Sequence, residues 1–372
     1  MIVKSKEIIK IANKIINNRM DLDYLSSLYG TVIFRQEKEK ISESELQQIQ
    51  SALIASGIYS QIQKTTKEYL LRLLLEYSKV KQENTRINLI LFMITILTTT
   101  LTGAILKGSD PFMTLEGLAK GFPYAFAILS ILGAHEMGHY LYAKKYKIYS
   151  TLPYFIPFFI PAFNIGTLGA FIKMRSPIPD KRALFDVGIA GPIAGLIVSL
   201  FFLFLGFSLL PDLEGVKEYV TQIHDWSETG EDALTLGDPL LFDLIRTLMS
   251  GEHLPMYEVY HFPFIFAGWI GLFVTALNLM PIGQLDGGHI SYALLGEKAK
   301  FVAIAAFIAL ALLNFYSTNW ILWTILILLV IRLKHPPTLN DKIELDSNRK
   351  SLAWTSYIIF VTCFSPMPLY FS

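Results

Sequence analysis

Phe122-Pro-Tyr-Ala-Phe-Ala-Ile-Leu-Ser-Ile-Leu-Gly-Ala-His135-Glu136-Met-Gly-His139-Tyr-Leu-Tyr142 is an apolar run that carries two imidazoles and a carboxylate near its end. It is long enough to cross a bilayer, which takes about 20 residues. An ionisable group at the centre of such a helix costs about 2.5–3.5 kcal/mol on insertion scales, so an uncompensated cluster opposes insertion. A lone histidine here would be read as a packing residue. On a helix, however, residues four apart share a face, so His135 and His139 can hold one Zn²⁺ between them. Zinc lowers the pKa of a bound water toward neutrality, and Glu136 is placed to act as general base toward it.

The rest of the chain fits a membrane setting. Of its 372 residues 52% are apolar and only 17% charged, against about 25% charged in an average soluble domain. The net charge of +1 gives no electrostatic reason to expect a nucleic-acid partner. The single cysteine, Cys363, excludes a disulfide framework and a thiolate zinc site. Residues 1–20 mix charges with isoleucines and are not read as a secretory signal.

Further apolar runs lie at about 87–106, 183–210, 262–280, 301–313, 320–331 and 352–370. With 122–142 they predict an all-α polytopic membrane protein of about six to seven transmembrane helices. Residues 1–86 are expected to form a cytoplasmic, soluble helical domain, with a helix start at Ser42 and a helical face continuing through Leu70–Leu75. Residues 87–300 form the core and 301–372 the C-terminal transmembrane helices. Within the core, the 148–182 region holds Pro153, Pro157 and Pro161, then a strand-like stretch with Gly166 and Gly169, and predicts a membrane-associated β-hairpin. Lys144, Lys145, Lys147, Lys173, Arg175, Lys181, Arg182, Arg332, Lys334, Lys342, Arg349 and Lys350 fall on one side if every run spans. The 211–261 loop falls on the other, with eleven acids against Lys217 and Arg246. Basic residues collect on the cytoplasmic side, so the N-terminus is cytoplasmic, and a bacterial inner membrane is the expected location.

A catalytic zinc usually takes three protein ligands. The best third candidate is Asp286, in Asn278-Leu-Met-Pro-Ile-Gly-Gln-Leu-Asp-Gly-Gly-His289, which the same topology brings to the cytoplasmic side. Its bland reading is a helix N-cap. His289 is a weaker ligand candidate. Asn278 lies inside an apolar run; it either bonds between helices or stabilises a substrate oxyanion. Gly188-Ile-Ala-Gly-Pro-Ile-Ala-Gly195 offers small residues for close packing against the zinc-bearing helix, and Asp186 before it reads as a cap.

At this point the motifs resemble the site-2 proteases, the zinc intramembrane proteases of peptidase family M50, over about residues 88–300. HExxH on a membrane helix carries the resemblance, with Asn278, Pro281, Asp286 and Gly287, the Gly191–Gly195 string, and Met174-Arg-Ser-Pro-Ile-Pro-Asp180. The resemblance implies one Zn²⁺ per chain on His135, His139 and Asp286, with Glu136 as catalytic base. It also implies that Asn278 contacts substrate or transition state, and that a hairpin at about 154–175 holds substrate as an extended strand. No PDZ-like domain is read in the 211–261 loop, which suggests the PDZ-less branch with chloroplast and bacterial members. The function implied is an endopeptidase acting on a membrane-spanning protein near the cytoplasmic face, in regulated proteolysis or quality control, with the lipid bilayer as its other partner. A metal-binding transporter or sensor would also use intramembrane His and Asp but has no use for Glu136. A catalytically silent pseudoprotease is the remaining alternative.

Overall fold

Long helices account for most of the computed structural model, which describes residues 2–17, 19–26, 31–64, 68–74, 85–160, 165–226, 233–331 and 333–371. The chain divides into two compact units.

The first unit comprises Met1–Glu83 with Lys147–Thr151 and Met174–Ile178. It runs α1 (Ile2–Ile16), β1 (Asp21–Ser26), β2 (Thr31–Glu37), α2 (Glu43–Ala55), β3 (Ser60–Lys64) and β4 (Glu68–Leu74), and the strands form one antiparallel sheet in the order β1-β2-β4-β3. The helix start at Ser42 is a full capping box: its hydroxyl accepts from the Glu45 amide, and the Glu45 side chain accepts from the Ser42 amide. The expectation of a helical domain is corrected in part: two helices are joined by a four-stranded sheet. Leu70–Leu74 lies on a strand, because Tyr69, Leu71 and Leu73 turn inward with period two against Val32, Phe34, Leu46 and Leu53. A run this rich in leucine satisfies both periodicities by eye, and its partners on β2 decide between them. Leu75 and the rest of 75–84 lie outside the described residues.

The second unit holds the apolar helices. It contains α3 (Thr85–Leu106), α4 (Leu115–Ala119), α5 (Phe122–Lys145), β5 (Tyr154–Pro157), β6 (Thr167–Phe171), α6 (Lys181–Ser208), α7 (Leu213–Thr221), β7 (Leu234–Leu236) and α8 (Leu240–Leu248). There follow α9 (Pro263–Leu279), α10 (Asp286–Leu295), α11 (Ala299–Leu313), α12 (Trp320–Leu326, continued by a π-turn to Ile331), α13 (Ser347–Cys363) and β8 (Leu369–Phe371). Among the described residues, three helical stretches are long and apolar enough to cross a membrane: Thr85–Leu106, Leu115–Lys145 and Lys181–Ser208. The chain is therefore a membrane protein. At about 1.5 Å per residue, α9 falls a little short of the ~30 Å hydrocarbon core. It is sheathed by protein, with Ile265, Ala267, Trp269, Leu272 and Ala276 all buried.

Between apolar helices lipid is as good a solvent as leucine, so close packing has to do the work of association. The glycines show where. A Cβ on Gly138 of α5 would lie 2.5 Å from the Ala190 carbonyl of α6, and one on Gly268 of α9 would lie 2.5 Å from Leu203 of α6. Strands β5 and β6 pair antiparallel, Tyr154 opposite Phe171. Asn88 of α3 donates to the Leu152 and Pro153 carbonyls at 2.9 and 3.0 Å, and Tyr124 of α5 donates to Ile165 at 2.7 Å, so the hairpin is fastened at both ends. Residues 161–164 of the expected hairpin lie outside the described residues.

The 211–261 loop contributes Val216, Val220, Phe242, Ile245 and Val259 to the main core. Its β7 pairs with β8 at the end of the chain. Asp186 is no cap. That role belongs to Asp180, whose carboxylate accepts from the Ala183 amide at 2.9 Å. Asp186 sits inside α6 and takes a two-pronged contact from Arg349 of α13, both bonds 2.7 Å, as well as the Tyr146 hydroxyl.

Candidate active site

His135 and His139 stand one turn apart on α5 and both are buried, 5% and 7% exposed. Their Nε2 atoms lie 3.1 Å apart. The third corner comes from α10. After α9 ends, Met280–Leu285 turns sharply, with Gly283 at a φ of +55°, and α10 starts back over the end of α9. The approach is so close that a Cβ on Gly287 would sit 2.0 Å from the Leu279 carbonyl. This places Asp286 at the first position of α10, where Leu285 holds the N-cap position. The bland reading of Asp286 as a cap is thus replaced. Its carboxylate turns instead to the imidazoles, with Oδ2 3.4 Å from His135 Nε2 and 3.3 Å from His139 Nε2.

The donor set fits a zinc ion. Two imidazole nitrogens and a carboxylate oxygen are the usual ligands. At metal–ligand distances of about 2.0–2.1 Å, tetrahedral ligands are separated by about 3.3–3.4 Å, close to the triangle observed here. His139 Nδ1 lies 2.8 Å from the Val187 carbonyl, which can only accept, so Nδ1 carries a proton and Nε2 is the nitrogen available to a metal. Gly191 makes room for that ring: a Cβ there would fall 2.1 Å from His139 Nε2. The Gly188–Gly195 string therefore packs helices, as expected, and also cradles a ligand. Neither Val187 nor the role of Gly191 was visible in the sequence, since one acts through its main chain and the other through an absent side chain.

The remaining candidates divide. Asn278 Nδ2 lies 3.4 Å from His135 Nε2, at the edge of the triangle. Glu136 is buried on the same turn of α5, close enough to His139 and Asp286 to interact electrostatically, and its carboxylate meets the amide of Ile172 just past β6. His289 is not part of the triangle. Its Nδ1 lies 2.6 Å from His335 Nε2, and His335 Nδ1 bonds the Pro336 carbonyl, so Nε2 of that ring is the acceptor.

The model of peptidase family M50 matches residues 123–316, a stretch that contains His135, Glu136, His139, Asn278 and Asp286. The chain belongs to peptidase family M50. Over 248 residues it is 32% identical to "Probable zinc metalloprotease EGY1, chloroplastic" of Arabidopsis thaliana, covering 66% of this chain and 43% of that one. The rice (Oryza sativa subsp. japonica) protein of the same name is 30% identical over 259 residues, 69% and 43% of the two chains. "Probable zinc metalloprotease EGY2, chloroplastic" of Arabidopsis thaliana is 29% identical over 264 residues, 70% and 44%. The chain thus spans under half the length of these relatives. No solved structure matches it.

Proposed function

We propose that this chain is a zinc-dependent endopeptidase that cuts a membrane-spanning protein near the cytoplasmic face. The observation that carries the reading is the His135–His139–Asp286 triangle with the Glu136 carboxylate buried beside it on the same helix. His135, His139 and Asp286 would hold the metal. When bound, zinc supplies Lewis acidity, which polarises a carbonyl and acidifies water. Glu136 takes the proton from the attacking water on its carboxylate and delivers it to the leaving amide nitrogen. Asn278 donates from Nδ2 to the scissile carbonyl oxygen as negative charge grows there. Val187 keeps His139 in the ligating tautomer.

A helical substrate has to unwind before its peptide bond can be attacked. The β5–β6 hairpin supports delivery as an extended strand, because adding a strand to a free edge satisfies the substrate's main chain. Its end at Ile172 lies against Glu136, which makes it the natural guide. In this reading the hairpin is membrane-associated. Helices α9, α11, α12 and α13 complete six to seven spans with α3, α5 and α6, and residues 301–372 are the C-terminal spans. Residues 1–86 and the basic loops lie in the cytoplasm of a bacterial inner membrane, supported by the scarcity of Lys and Arg in the 211–261 loop. The matched relatives are themselves named chloroplastic.

The test is Glu136→Gln in the full chain, assayed on a membrane-spanning substrate with zinc content measured in parallel. Loss of cleavage with zinc retained supports the protease. Cleavage at the wild-type rate sinks it.

A further inference from the structure

A second cluster of metal-binding side chains lies at the other end of α9. His224 follows α7, and Glu258 and His261 occupy one helical turn just before α9. His224 Nε2 and His261 Nε2 are 3.1 Å apart, and Glu258 Oε2 is 3.3 Å from the first and 3.5 Å from the second. Asn278, at the catalytic end, is seventeen residues beyond His261, about 25 Å along the helix axis. The two clusters are separate.

Three features point to a shared ligand between these side chains. First, both rings are fixed in one tautomer. His261 Nδ1 bonds the carbonyl of Leu106 at the end of α3, and His224 Nδ1 lies 2.9 Å from the Asp225 carbonyl. Carbonyls only accept, so each Nδ1 holds a proton and each Nε2 is the nitrogen turned toward Glu258 and the other ring. Second, Glu258 Oε2 is buried and has no hydrogen-bond partner, although its side chain is only 2% exposed. A buried carboxylate oxygen left without a partner is expensive. Third, the three acceptor atoms form a triangle with edges of 3.1–3.5 Å, where tetrahedral ligands around zinc would stand about 3.3–3.4 Å apart. Among the described residues no further His, Cys, Asp or Glu joins the group.

We propose that His224, Glu258 and His261 bind a second zinc ion, structural in role, which clips the 211–261 loop to the helical bundle. The site joins the end of α7, the start of α9 and, through the Leu106 carbonyl, the end of α3. Tyr219 of α7 adds a parallel tie, its hydroxyl donating to the His261 carbonyl at 3.2 Å. His224 is the exposed member of the three, its side chain 40% exposed, so water can reach the ion from that side.

The experiment is zinc counting by inductively coupled plasma mass spectrometry on the purified full chain, after dialysis with a slight excess of Zn²⁺ and removal of free metal. Wild type should hold two zinc ions per chain. His224→Ala, Glu258→Gln and His135→Ala should each hold one, and the His135→Ala/His224→Ala double variant almost none. Glu258→Gln buries a changed group and can misfold; His224→Ala alters a half-exposed side chain and leaves the His261–Leu106 contact in place. Co²⁺ substitution of the His135→Ala variant should then give the visible absorption of a tetrahedral site, which His224→Ala removes. One zinc in wild type, with the same one in His224→Ala, means the cluster shares only a proton and overturns the proposal. Two zinc ions in both overturns it as well, because the second ion would then be held elsewhere.

Discussion

The two ends of α9 carry almost the same triangle of atoms. At one end His135, His139 and Asp286 stand 3.1, 3.3 and 3.4 Å apart; at the other His224, His261 and Glu258 stand 3.1, 3.3 and 3.5 Å apart. Ligand geometry alone would not tell them apart. What differs is the surroundings. At the first triangle a buried carboxylate, Glu136, adjoins the ligands, an amide, Asn278, reaches its edge, and a two-stranded hairpin ends beside it. At the second, the ligands bond back to the ends of helices. A triangle of donors makes a metal site; the groups around its open position decide whether the site can act on a substrate.

The largest expected effect follows from that contrast. A positioned general base is worth about 10²–10⁴-fold in rate. Glu136→Gln should therefore lower cleavage by at least about 100-fold with zinc content unchanged. If zinc is lost along with activity, Glu136 is part of the metal shell and the separation of roles drawn here fails. Asn278→Ala comes next, because an oxyanion donor contributes about 10²–10³-fold. It should lower kcat and leave zinc in place. Release of zinc on this substitution would make Asn278 a support for His135 instead of a substrate contact.

Much of the first triangle was legible because its logic is local. His135 and His139 are four apart on one helix, and Asp286 follows a helix break that the Pro281–Gly288 string announces. The second triangle is not legible in the sequence, because His224 and His261 come together only through folding, across a loop that reads as plainly acidic. Glu258 and His261 do carry a signal, an E-x-x-H pair three residues apart on a turn, but without the distant His224 it has no meaning. Asp186 looked like a cap from its place before a glycine string; its partner Arg349 lies in the last helix and no spacing rule connects them. The strand at Glu68–Leu74 was missed for the same reason, since its pairing with β2 is what selects period two.

Gly191 tests whether the first triangle depends on its cradle. A Cβ at 2.1 Å from His139 Nε2 must displace the ring from Val187 or from the metal position. Groups that orient a ligand are worth about 10- to 100-fold in metal affinity, so Gly191→Ala should weaken zinc binding by that order. Gly195→Ala is the control one helix turn away. Its Cβ would lie 3.2 Å from His135 Cβ, a contact that a few tenths of an ångström relieves, and zinc should stay. Equal losses in both variants would mean that the helices, and not the His139 ring, set the tolerance.

The smallest effect separates the triangles by access. The ligand side chains at the first are 7%, 9% and 13% exposed, whereas His224 at the second is 40% exposed. A chelator reaches the second ion through His224 and reaches the first only through the protein. Wild-type chain treated with a water-soluble chelator should release zinc in two phases, the faster one missing from His224→Ala. Cleavage should persist through the fast phase and decay with the slow one, because the loop clip lies about 25 Å from the scissile position. A single phase that takes activity with it would leave only the His135–His139–Asp286 ion, and the resemblance between the two ends of α9 would then be one of shape without metal.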